Sequence, residues 1–241
     1  MIEVDLITKH GKRALGMEET HEKAKGWRHR LPEILLEIGI IVFAITLSIQ
    51  LHAWHEHSVE RVEERQFLTG LRADLKSDVV ELRSDSLSYA QVLRGYHYFR
   101  TLTPQTYHAD SVQKHQWTLG NATNLLPNSS RFEGLKSAGK LGVIENDELL
   151  NDILDNYQES IPGLVGQTRT FSDYKAGTIQ SYLDEHLHRS GDNFLAMMQS
   201  DQMYNYLNKE PAIRGIMARY HAVLQQNRKI IREIDSHLPH E

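Results

Sequence analysis

Ile34-Leu-Leu-Glu37-Ile-Gly39-Ile-Ile-Val-Phe43-Ala44-Ile-Thr46-Leu-Ser48-Ile-Gln50-Leu-His52-Ala-Trp54 is the stretch on which the reading of this chain turns. Its 21 residues rise roughly 32 Å as a helix, about the thickness of a hydrocarbon core. The sequence therefore predicts a transmembrane helix over residues 32–54, preceded by an arm (1–31) and followed by an extramembrane domain (55–241). A cleaved signal peptide would need a short charged start and a small-residue cleavage site. Here a long polar arm precedes the run, and His55-Glu56-His57 continues it into a charged helical pattern. A buried core helix is the other competitor, and Glu37, Gln50 and His52 are its best support.

Basic residues set the expected orientation. Lys12, Arg13, Lys23, Lys25, Arg28 and Arg30 lie before the run, against Arg61, Arg65 and Arg72 after it. That bias places the N-terminus on the cytoplasmic side and the large domain outside it, with Trp27 and Trp54 as interfacial anchors.

At 100° per residue, Glu37, Ile41, Ala44, Ser48 and His55 fall near one line, and Gly39, Phe43, Thr46, Gln50 and Ala53 on nearly the opposite side. Both lines are rich in small and polar residues. Between them lie lipid-facing stripes, Ile34, Ile38, Ile45 and Ile49 on one and Leu36, Ile40 and Leu47 on the other. Small and hydrogen-bonding residues mark helix contacts in membranes. Glu37, Ala44, Ser48 and Gln50 are thus the expected contacts with neighbouring integral membrane subunits. Glu37 has two readings: a proton- or ion-carrying group, or a carboxylate near the boundary that snorkels to water or pairs with Arg28 or Arg30.

The run from Glu33 to Glu56, with Glu37, Gly39, Gln50 and Trp54 as its marks, resembles an uncharacterised bacterial family of single-span membrane proteins. The stretch Phe132 to Leu149, with Ser137-Ala-Gly139 and Asn146-Asp-Glu-Leu149, is similar to that family's second block. Together they cover about forty residues of the chain. The resemblance implies one N-terminal span, a helical domain and no assigned activity. His52 and His55 depart from the asparagines usual around the tryptophan, and the arm is longer. In a bacterium the orientation would put the span in the inner membrane and the domain in the periplasm.

Beyond Trp54 the helical pattern continues to Leu102, where Thr103-Pro104 stops it. Positions 68, 71, 75, 78, 82, 85, 89, 92, 96 and 99 read Leu, Leu, Leu, Asp, Leu, Asp, Tyr, Val, Tyr, Phe. Such three-and-four spacing predicts a long amphipathic helix with a buried seam. Asp110-Ser111 would cap a short helix to Leu119, and residues 120–130 read as loop. Ser130 opens another helix, which Gly139 ends. Asn146 caps the next, broken at Ile161-Pro162. A helix from Gly163 to His188 follows, with Leu164, Thr168, Phe171, Ile179, Tyr182, Leu183 and Leu187 inward. Ser190-Gly191-Asp192 is a turn, a short helix spans 194–207, and the last carries Ile213, Ile216, Met217, Tyr220, Val223, Leu224, Ile230, Ile231 and Ile234 as a stripe. No convincing strand alternation occurs, so the expected fold is all-α, a helical bundle behind a membrane helix.

The composition limits chemistry. The chain of 241 residues has no cysteine, which excludes disulfides, thiol nucleophiles and thiolate metal sites. With 27 Lys and Arg against 32 Asp and Glu, its formal charge of −5 argues against nucleic acid as a partner. His52 and His55 share a helix face and could ligate a metal, but His57 points away and helix-exit histidines explain them as well. His186 and His188 do not face each other. Lys136 to Gly142 lacks the strand and spacing of a phosphate loop. His52 is also the one histidine in the run that could hold a haem or pigment. The expectation is a protein with no cofactor, no bound metal and no catalytic site: a membrane-anchored accessory or scaffold subunit of a larger integral complex, whose type is open among respiratory, photosynthetic, transport and envelope assemblies. The alternative is a homo-oligomeric pore or proton path ringed by Glu37 and Glu33. A sensor anchor whose bundle binds a small ligand is a third reading, and it needs a pocket.

Overall fold

A computed structural model describes residues 27–238, with side chains from residue 35. Residues 1–26 of the arm and the side chains of Trp27, Arg28, Arg30 and Glu33 lie outside the described residues, and the helix that carries the apolar run already begins at Trp27. These residues divide into two compact units, the first ending at Ser58 and the second beginning at Val59. The described residues are all-α. In chain order the helices are α1 (Trp27–Arg100), α2 (Ala109–Gly120), α3 (Ser130–Ser137), α4 (Asp147–Asp155), α5 (Ile161–Tyr174), α6 (Ser181–His186), α7 (Phe194–Met198), α8 (Asp201–Leu207) and α9 (Glu210–His237).

In the first unit the helix is exposed on every side from residue 35 to 58. In the second, the α1 seam is buried at all ten positions from Leu68 to Phe99. It forms one core with Phe132, Ile153, Leu164, Phe171, Ile179 and the α9 stripe from Ile213 to Ile234. α9 runs antiparallel to this part of α1. Tyr220 meets Asp85, Arg72 meets Asp235 at 2.8 Å, and His237 lies 3.2 Å from Glu64.

The segment that returns along α1 from Thr118 to Glu145 contains an irregular stretch, 121–129, whose backbone donors need acceptors. Carboxylates on α1 supply them. Leu126 N–H donates to Glu81 (2.8 Å), Asn128 N–H to Asp78 (3.1 Å) and Glu145 N–H to Glu64 (3.0 Å). Arg131 and Lys140 pair with Asp74 and Glu63 along the same line. This explains Asp78 and Asp85 in an otherwise apolar seam: they hold a loop that has no ladder of its own.

Gly139 and Gly95 stand where the geometry requires glycine. Gly139 takes φ +69°, and the N–H groups of Lys140 and Gly139 donate to the Leu135 and Lys136 carbonyls, closing α3 in a Schellman motif. Gly95 lets α2 approach α1, since a Cβ there would run into Thr118. Gly95→Ala should therefore destabilise the domain by about 1–3 kcal/mol, outweighing the helix propensity gained. Chemical denaturation of the detergent-solubilised chain measures it, and unchanged or higher stability would contradict the close approach.

Three boundaries differ from the sequence reading. The α2 N-cap is His108, with no capping side chain, while Asp110 lies within the first turn. The 194–207 stretch divides into α7 and α8, because Ser200 caps α8 by accepting the Met203 N–H. The expected break at Ile161-Pro162 is absent: α4, a π-helical turn (Asn156–Ser160), α5, a second π turn (Lys175–Gln180) and α6 run on without interruption. A π turn widens the helix ahead of Pro162, where an α-helical carbonyl would meet the proline ring. Asn146 caps α4 as expected, accepting the Leu149 N–H at 3.0 Å.

Candidate functional site

Two features carry functional information, one in each unit. The first is the apolar part of α1. It is long and apolar enough to cross a membrane, near the N-terminus, and none of it is buried within the chain. Leu36, Ile40, Phe43, Ile45 and Ile49 are each more than half exposed. A soluble bundle would bury such a helix.

Glu37, Ala44, Ser48 and Gln50 are all exposed on this helix, and Trp54 is 71% exposed. Helical geometry sets Glu37, Ala44 and Ser48 on one face and Gln50 on the other. Thr46 satisfies its own hydroxyl on the Val42 carbonyl at 2.8 Å. Ser48 and Gln50 make no side-chain hydrogen bond among the described residues. In hydrocarbon each would be costly unless a neighbour supplied partners. His52 lies 3.3 Å from Glu56 one turn on, and no group of three potential metal ligands occurs among the described residues.

The second feature is a polar cluster in the bundle core, centred on α1, α9 and the loop after α2. Asp85 accepts hydrogen bonds from Thr123 (2.6 Å) and Tyr220 (3.1 Å), and Tyr89 donates to the Thr123 carbonyl (3.0 Å). Burial and the Asp85 charge push the Tyr89 and Tyr220 phenols well above their usual range. Both therefore remain hydrogen-bond donors across the physiological range. Further along α1, Asp78 accepts from the Asn128 side chain at 2.7 Å, and its other oxygen is buried without a partner. Burial raises the Asp78 carboxyl pKa, so its charged form is disfavoured there.

Lys175 was not singled out from the sequence. It is fully buried at the start of the second π turn. Its ammonium donates to the Asn121 carbonyl and lies 5.8 Å and 5.9 Å from the ring centroids of Tyr96 and Phe171. No carboxylate pairs with it among the described residues. Burial lowers its pKa to about 8. The legible signal was a lysine four residues after Phe171 and four before Ile179, on the apolar stripe itself.

This depressed value has a consequence for stability. The folded state binds its proton less tightly than the unfolded chain, so the penalty is fully present below pH 8 and relieved between about 8 and 10.5. Lys175→Met should be more stable than wild type by roughly 3 kcal/mol at most at neutral pH. That advantage should shrink as pH rises through this window. Denaturation of both proteins across the window checks it, and a pH-independent difference would contradict the buried cation.

No family model, curated protein or solved structure matches the chain.

Proposed function

We propose that this chain is a non-enzymatic, membrane-anchored accessory subunit. Its apolar helix spans the bacterial inner membrane and packs into a larger integral complex, while its helical domain covers or bridges partners on the periplasmic side. The observation that carries the reading is the first half of α1: an apolar helix exposed all round from residue 35 to 58, with Ser48 and Gln50 on separate faces and without hydrogen-bond partners among the described residues. Lipid accounts for the isoleucine stripes. Protein neighbours account for the polar faces. The excess of basic residues before the helix supports a cytoplasmic N-terminus.

A photo-crosslinking amino acid placed singly at Ser48, Gln50 and Ile45 in native membranes tests the reading. Foreign membrane subunits should be captured from positions 48 and 50, and lipid alone from 45. Capture of only further copies of the chain from 48 and 50 would favour the homo-oligomeric assembly ringed by Glu37 instead, and capture of lipid alone from all three would remove the two-sided contact.

A further inference from the structure

Lys175 lies in the wall of a cavity of about 160 Å³ whose other walls include Tyr89, Val92, Trp117, Thr123 and Phe171. Most of this lining is aromatic or aliphatic. The ammonium spends one of its three donors on the Asn121 carbonyl, and no carboxylate among the described residues neutralises it. Asp85 belongs to the neighbouring Thr123–Tyr220 network and makes no ion pair with Lys175. A buried cation that is neither paired nor bound to several acceptors is costly to keep. Asn121 and Trp117 also line a wider groove of about 450 Å³ beside α2 and α6.

We propose that this cavity binds a small monocarboxylate with an apolar body, its carboxylate paired with Lys175 and its body lodged against Val92, Trp117 and Phe171. Size sets the body: a dry cavity of about 150 Å³ takes up a benzene ring. Charge sets the head group. One ammonium, with no arginine in the lining, matches one negative charge and lacks the several donors that a phosphate engages. Aromatic and branched-chain carboxylic acids meet both limits. The ligand would supply the missing counter-ion, and tie α1, α5 and the loop after α2 together. The site stands on the bundle alone, so it holds or fails independently of the membrane partners.

The probes are benzoate and 3-methylbutanoate, added to the full chain in detergent micelles. Trp27→Phe and Trp54→Phe leave Trp117 as the only tryptophan of the three, so its fluorescence reports the cavity directly. The expected result is saturable quenching or enhancement by at least one of the acids, weaker by at least about tenfold for neutral benzamide than for benzoate. Lys175→Met keeps the apolar stem, removes the charge and should lose at least about tenfold in affinity. Absence of saturable change with both acids up to about 10 mM would overturn the proposal. Equal binding of benzoate and benzamide by the wild-type cavity would overturn it too, whatever the variant does.

Discussion

Ile45→Lys combined with Leu47→Lys should move the protein out of the membrane fraction. Each lysine near the centre of a spanning helix costs about 2.5–3.5 kcal/mol on the insertion scale, so the pair costs roughly 5–7 kcal/mol. Both residues are exposed on the first half of α1, on stripes assigned to lipid, and neither belongs to the bundle core. The second unit should therefore keep its fold while anchoring is lost. Carbonate extraction of membranes measures the anchoring, and far-ultraviolet circular dichroism of the released protein measures the fold. Retention of the doubly substituted chain as an integral protein would contradict a single span at this position.

Tyr220→Ala is the second large effect, and it falls on the other unit. Tyr220 is fully buried, packs against Tyr89 with ring centroids 5.5 Å apart, and donates to Asp85 at 3.1 Å. Truncation opens a cavity and strips a buried carboxylate of one donor. Large aromatic-to-alanine changes cost about 3–5 kcal/mol. Tyr220→Phe removes only the hydroxyl and should cost about 1–3 kcal/mol, the penalty of an under-satisfied buried acceptor. The ordering of wild type, Tyr220→Phe and Tyr220→Ala in denaturant midpoint is the test. A phenylalanine variant as stable as wild type would mean that the hydroxyl contributes nothing to holding Asp85.

The fold was legible where a simple period governs it. The three-and-four spacing from Leu68 to Phe99 is buried throughout, including the two aspartates that hydropathy alone would have turned outward. Each has a partner in residues 121–128, a loop whose existence was legible but whose path was not, and Tyr220 is a second partner of Asp85. Caps that depend on one local side chain or one glycine, at Asn146 and Gly139, were legible for the same reason: the chemistry is local.

The continuous helix across Pro162 was not legible. A π turn adds one residue to a turn and shifts the register, so neither the proline rule nor a fixed 3.6-residue period anticipates it. Helical spacing puts Leu187 inward, but it is 39% exposed, because α6 ends at His186 and the chain leaves in extended conformation. Lys175 was missed because a lysine in an amphipathic pattern ordinarily marks the solvent side. Here its stem fills core space and its head meets a carbonyl from a different element. The apolar half of α1 was legible as a helix long and apolar enough to cross a membrane. Glu37, Ala44, Ser48 and Gln50 as contacts with neighbouring subunits rest on helix angles alone.

The most direct measurement is a mild-detergent purification of the tagged full chain from its native membrane, followed by native sizing and mass spectrometry of everything that accompanies it. An accessory subunit should come out in one discrete particle with stoichiometric foreign membrane subunits, and Gln50→Leu with Ser48→Leu should loosen that particle without releasing the chain from the membrane. A particle containing only copies of this chain would contradict the accessory role.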